Sequence, residues 1–244
     1  MHFRLLTYNI HKGIGGVDRR YRLDRTIATI RHVVPDVAFL QEVDEGVPRS
    51  RRHRQIDLLA DALEMRYRVY QPNVSLKIGQ YGNAILSRFP LADVRDIELT
   101  IPMKKRRRAL AAHCRVRTGQ HSRTLLLVNV HLGLAGFERT IQVRRILDSD
   151  VLQHVHRRTP VIIAGDCNDV WGTLGRRLFE PAGFRIASGK KKTFPAMVPM
   201  RALDRVFCRG DIKLRASFAS RTATARQASD HLPLVVDFTL PIES

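Results

Sequence analysis

The sequence predicts a mixed, largely antiparallel α/β layer protein, and three observations carry that expectation. Apolar runs of strand length recur along the whole chain. Only three stretches show the apolar stripe of an amphipathic helix, so strands outnumber helices. Several strand-like runs follow one another with no helix between them, which argues against a doubly wound parallel sheet.

Taken in order, residues 3–10 read as a strand. Residues 23–34 read as a helix with Leu23, Ile27, Ile30 and Val34 on one stripe, ended by Pro35. Residues 37–40 form a short buried strand and residues 55–65 a second helix. Strands are expected at 83–87, 110–116 and 124–130. A long helix over 138–156 precedes the apolar strand 161–164, and strands near 203–208 and 234–240 close the chain. No repeat, low-complexity block or Gly/Ser linker interrupts this order, so residues 1–244 read as a single domain.

Composition narrows the class. The apolar fraction of 44% suffices for a core, and 42 Lys and Arg against 23 Asp and Glu give a formal charge of +19. Such an excess favours polyanionic partners, nucleic acid or an anionic membrane surface. Cys114, Cys167 and Cys208 are scattered singly, which excludes a disulfide framework or a CxxC zinc site. No apolar run reaches the about 20 residues of a transmembrane segment, and no signal peptide opens the chain, so a cytoplasmic location is expected.

The chemistry collects at strand ends. Asn9 and His11 end the first strand, Glu42 follows the second, and Asn83 opens the third. His131 ends another, Asp166 and Asn168 follow the most apolar run, and Asp204, Asp230 and His231 flank the last two strands. A layered fold gathers such ends into one rim, where loops carry function. The carboxylates Glu42, Asp166, Asp204 and Asp230 with the amides of Asn9 and Asn168 are hard oxygen donors that suit Mg²⁺ or Mn²⁺. A three-imidazole zinc site from His11, His131 and His231 is the lesser alternative. A GxSxG elbow, a P-loop and GxGxxG are all missing from the sequence, and Ser229, Asp230 and His231 are too close in sequence to form a triad.

The succession YNIHKG (8–13), QE (41–42), GNAILSR (82–88), NVHLG (129–133), GDCN (165–168), LDRVF (203–207) and SDHLPL (229–234) resembles the endonuclease/exonuclease/phosphatase superfamily, in that family's order and over almost the whole chain. The resemblance implies a DNase I-like, four-layer α/β sandwich: two central, mostly antiparallel β-sheets flanked by helices, with the active site at one rim. It implies a metal-dependent phosphoesterase that cuts by in-line attack of an activated water.

By the same resemblance, Glu42 is the principal metal ligand with Asn9 beside it, and Asp230 lies at the metal or its water shell. Asp166 orients or deprotonates the water, and Asn168 binds the phosphate or holds that water. His231 stabilises charge on a phosphate oxygen, Asp204 holds the His231 imidazole, and His131 takes the place of a second catalytic His. His11, Asn83 and Arg107 are expected to face substrate; Arg107 opens a stretch like the Arg-Gly-Ala-Leu of relatives. Some members carry Asp where this chain has His11, which leaves the number of metal sites open. The tryptophan that abasic-site endonucleases place before LD is missing, as is the WCDR signature of inositol polyphosphate phosphatases.

Basic clusters at 49–54, 104–108 and 190–192 fall in expected loops between motif-bearing strands. They suit the backbone phosphates of DNA or RNA, with Trp171 placed to stack on a base, so a nuclease is the expected activity. A sphingomyelinase-like lipid headgroup phosphodiesterase on anionic lipid, or a small-molecule phosphatase, is the alternative; the sequence shows no aromatic-rich apolar hairpin to dip into a bilayer, which counts against the lipid reading. A non-catalytic nucleic-acid-binding module is disfavoured, because it leaves no reason for the carboxylates of Glu42, Asp166 and Asp204 to sit together.

Overall fold

The computed structural model describes residues 1–241. Among them, twelve strands form two six-stranded sheets. The first contains β1 (His2–Asn9), β2 (Val37–Glu45), β3 (Tyr67–Ser75), β4 (Gln80–Ser87), β11 (Lys213–Ala219) and β12 (Leu234–Thr239), in the spatial order β11-β12-β1-β2-β4-β3. The second contains β5 (Leu91–Glu98), β6 (Arg108–Thr118), β7 (His121–His131), β8 (Val161–Asp166), β9 (Arg185–Ile186) and β10 (Asp204–Arg209), in the order β5-β6-β7-β8-β10-β9. Only β1 with β2 and β7 with β8 pair in parallel. The sheets are therefore mixed and mostly antiparallel, as expected.

Alternation along the strands builds the layers. Phe3 and Leu5 of β1, Phe39 of β2, Leu125 and Leu127 of β7 and Ile162 of β8 point into one core between the sheets. The intervening residues Leu6, Tyr8 and Leu40 face α1 (Leu23–Val33) and α2 (Gln55–Ala62) on the outside of the first sheet. Leu126, Val128 and Ile163 face α3 (Gly136–Leu147), α4 (Asp150–Gln153) and a π-turn at Gly175–Phe179 on the outside of the second. The result is a helix–sheet–sheet–helix sandwich. A short α5 (Ala223–Ala228), capped by the Thr222 hydroxyl, packs on α1.

Three expectations need correction. The helix predicted over 138–156 is two helices, because Ser149 takes extended backbone (ψ 146) between α3 and α4. Asn83 lies inside β4, not at its start. The second strand runs on to Glu45 through a bulge between Leu40 and Val43, and Glu42 sits in that bulge with φ 57. The bulge turns the Glu42 side chain out of the regular alternation. The three cysteines are free and buried, in agreement with the sequence.

Candidate active site

The same alternation that fills the inter-sheet core delivers polar groups to one end of it. Continuing by twos, β1 passes from Phe3 and Leu5 to Thr7 and Asn9, β7 from Leu127 to Asn129 and His131, and β8 from Ile162 and Ala164 to Asp166. Both parallel pairs end at this edge, and the antiparallel β10 begins there with Asp204 opposite Asp166. Below the rim the sheets are tied by buried amides. The Asn129 amide donates to the carbonyls of Leu40 (3.0 Å) and Ala84 (2.9 Å), and Gln41 donates to Asn129 Oδ1 at 2.7 Å.

Asp166 is the centre of the rim. Its Oδ1 accepts from the Asn168 backbone N–H at 3.0 Å and its Oδ2 from the Asn9 amide at 3.1 Å. The Nε2 atoms of His131 and His231 stand 3.6 and 3.7 Å from the same Oδ2. Asn168 adopts φ 50 and anchors its own amide on the Leu132 carbonyl at 3.0 Å. His231 is held from behind by Asp204, Nδ1 to Oδ2 at 2.9 Å, and the Thr193 hydroxyl donates to the same oxygen at 2.5 Å. Ser229 donates to the Asn9 carbonyl at 2.7 Å and accepts from the His231 N–H at 3.2 Å, which fixes the last motif against the first strand.

Electrostatics separates the two imidazoles. Burial alone would depress His231, but the Asp204 and Asp166 carboxylates carry it up to about 10, so it is an imidazolium at neutral pH. His131 is pushed well below its ordinary value by burial and by the Arg107 guanidinium, so it is neutral. Burial raises the Asp166 carboxyl, His231 opposes that, and the net shift is upward, towards the range of a general base.

Glu42 occupies the other half of the rim, with its Oε2 against the Lys12 ammonium. Burial works against the Glu42 carboxylate, yet the Lys12 ammonium beside it holds its pKa below the ordinary carboxylate value. Asn9 pairs in register with Gln41, beside Glu42, so both oxygen donors share one edge. Arg107 is 8% exposed, and among the described residues its guanidinium makes no hydrogen bond or ion pair. Burial lowers its pKa, with Asp166 and Glu42 the leading charges that oppose the shift.

The remaining expected residues are placed as follows. The His11 Nδ1 binds the Ile14 carbonyl at 2.9 Å and stands 3.9 Å from Asp230, which is half-buried beside Ser229. Asn83 is buried, and its amide is spent on the Arg108 carbonyl (3.0 Å) and Gln71 (3.3 Å), a tie between the sheets; its Oδ1 is left without a partner. Trp171 is 83% exposed in the loop after β8 and is outside the hydrogen-bonded cluster. Sequence reasoning missed Lys12 and Thr193. Their only sequence signals are Lys12 inside the YNIHKG motif and Thr193 just before Phe194, whose ring lies 5.0 Å from that of His231.

A two-sheet sandwich with a buried Asp–His–Asp relay beside a hard-oxygen edge defines a phosphate-ester hydrolase of DNase I-like architecture. The profile of the Endonuclease/Exonuclease/phosphatase family matches residues 6–231, and the chain belongs to that family, whose members are hydrolytic phosphoesterases that use divalent metals. It is 29% identical to the YbhP protein of Escherichia coli (strain K12) over 98% of this chain and 96% of that one. Among solved structures, an endonuclease/exonuclease/phosphatase from Beutenbergia cavernae superposes with a TM-score of 0.79 at 24% identity, covering 98% of this chain and 72% of that one. ANGEL2, described as a 2′,3′-cyclic phosphatase, superposes at 0.74 with 16% identity, over 98% and 95% of the two chains. At these identities the two structures establish a shared fold.

Proposed function

We propose that the chain hydrolyses a phosphodiester by in-line attack of water, with a divalent metal held at Glu42 and Asn9. The observation that carries this reading is the placement of one carboxylate, Asp166, between an imidazolium and a neutral imidazole, all buried at the rim. Asp166 takes a proton from the attacking water as the water oxygen bonds to phosphorus. The P–O ester bond opposite then breaks, and the leaving oxygen keeps the bonding pair and takes a proton from solvent. His231, held charged by Asp204, binds the non-bridging oxygen on which negative charge grows. Arg107, buried and facing Asp166 and Glu42, supplies a second cationic donor for the phosphate.

The donor chemistry fits the metal. Glu42 is a carboxylate kept ionised, already faced by the Lys12 cation, and the neighbouring Asn9 and the outlying Asp230 add only oxygen ligands. When bound, Mg²⁺ or Mn²⁺ would neutralise phosphate oxygen charge and polarise the phosphorus centre. Asp166, Asp204 and His231 also lie close enough together to hold an ion. We read them as a hydrogen-bonded relay, because His231 Nδ1 and Asp204 Oδ2 already pair directly at 2.9 Å.

The basic clusters suit a polyanionic substrate, and a nucleic-acid phosphodiester is the first to test, since ANGEL2 acts on a cyclic phosphate by its description. Purified protein would be assayed with Mg²⁺, Mn²⁺ or EDTA against plasmid, single-stranded DNA, RNA, phospholipid vesicles and bis-p-nitrophenyl phosphate, with His231→Ala as control. Metal-dependent cleavage lost in the variant supports the reading. Turnover that persists in EDTA, or in His231→Ala, overturns it.

A further inference from the structure

We propose that the site-bearing end of the molecule is a docking face for a bilayer surface rich in anionic phospholipid. Strand directions decide which loops share that end. The β1–α1, β2–α2, β3–β4, β5–β6, β7–α3, β8–π-turn, β9–β10 and β11–α5–β12 connections all open beside the Asp166 rim, and the other turns lie at the far end. Each of the three basic clusters seen in the sequence falls in one of these site-end connections.

Apolar exposure follows the same division. Of the eighteen exposed large apolar side chains among the described residues, eleven sit in site-end loops or the first turn of α3; one, Val34, sits in a far-end turn. Met103 is fully exposed, Leu134 77%, and Phe137 56%. Trp171 is 83% exposed, and Val198 and Met200 are 66% and 67%. Basic groups stand between them. The Lys104 ammonium lies 5.6 Å from the Phe137 ring, Lys77 separates Leu76 from Ile78, and the Arg226 guanidinium donates to the Met197 carbonyl at 2.5 Å.

Apolar tips interleaved with Lys and Arg match the interface of an anionic bilayer. Methyl and ring groups there leave water at the acyl boundary, ammonium and guanidinium groups reach headgroup phosphates, and tryptophan sits at the headgroup level. A nucleic acid accounts for the cations but not for the tips. Phosphates are held by charged and polar groups, and bases stack on rings, whereas nine of the eleven exposed side chains, all but Phe137 and Trp171, are aliphatic or Met. Docking stands on this surface alone; that the bilayer also brings a phosphodiester to Asp166 and His231 rests on the proposed activity.

Trp171 is the only tryptophan in the chain and lies on this face, so its emission reports docking directly. The full-length protein would be titrated with vesicles of equal parts phosphatidylglycerol and phosphatidylcholine, with pure phosphatidylcholine vesicles, and with duplex DNA. The expected result is a blue shift with the anionic vesicles and partitioning at least about tenfold weaker to the neutral ones. The triple variant Met103→Ser, Leu134→Ser, Phe137→Ser should lose about tenfold in partitioning and keep its unfolding midpoint, because all three side chains are exposed. His231→Ala should bind vesicles like the wild type, which separates failure of docking from failure of hydrolysis. An unshifted emission with anionic vesicles, undiminished partitioning of the triple variant, or a shift with DNA alone would each overturn the proposal.

Discussion

The Nδ1 atom of His231 lies 2.9 Å from Oδ2 of Asp204, and that contact helps to keep this one imidazole of the rim charged. It fixes the tautomer and direction of the ring, keeps the imidazole charged and leaves Nε2 pointing at Asp166, 3.7 Å away. The relay is buried, so each carboxylate acts on the ring in a weakly screening medium.

Removing the middle of the relay or its outer carboxylate should abolish turnover. His231→Ala deletes the cation for the phosphate, and Asp166→Asn deletes the proton acceptor. Each should lower kcat at least about a hundredfold. Steady-state assays with far-UV circular dichroism check this, and near-normal rates in a folded variant would sink the assignment.

The raised His231 value carries a sign for stability. Its folded pKa, about 10, exceeds the ordinary 6.5, so the stabilisation it provides is complete below about pH 6.5 and is lost as pH rises through about 10. Unfolding midpoints of wild type and His231→Gln should therefore differ most near pH 6 and converge towards pH 10. A gap that widens with pH would contradict the assigned charge.

Lys12 and a divalent cation compete for one oxygen of Glu42. Lys12→Met should bind Mn²⁺ more tightly, by up to about tenfold, and Glu42→Gln should weaken binding by at least that factor. Titration calorimetry in low salt reads both. Weaker binding by the lysine variant would mean that the ammonium helps to hold the ion's site and does not contest it.

Gly165 immediately precedes Asp166 at φ 152, and a Cβ there would lie 1.8 Å from the Val130 carbonyl oxygen on β7. The glycine of the GDCN motif is thus required by the close approach of two parallel strands. Gly165→Ala should cost more than about 4 kcal/mol in urea unfolding, or displace Asp166 and silence the site. A variant with wild-type stability and rate would show that β8 can move aside.

Much of this was legible in the sequence because one rule, alternation by twos, governs both the core and the rim. The runs through Leu5, Leu127 and Ile162 announced buried strands, and their polar ends announced the site. The four strands that escaped notice, β3, β5, β9 and β11, are the four sheet edges. An edge strand is wetted on one side, so β5 and β11 carry mostly exposed residues and no apolar run. The role of Thr193 was illegible for another reason. A hydroxyl matters here only because the fold brings it to the buried Asp204 across eleven residues of loop. The exposed apolar rim escaped too, since Met103, Leu134 and Trp171 come from three separate loops and form no single hairpin.

The antiparallel pairing of β1 with β12, His2 opposite Thr239, governs when activity arises during the protein's own synthesis. β1 leaves the ribosome before β12, and one of its two edges stays open until β12 follows, on the order of 10 to 50 s later at ordinary elongation rates. Even once Asn9, Glu42 and Asp166 have all been added, the nascent chain still lacks the His231 imidazolium. The proposed hydrolytic competence therefore depends on the last segment of the fold, and a chain terminated before His231 is expected to be catalytically silent.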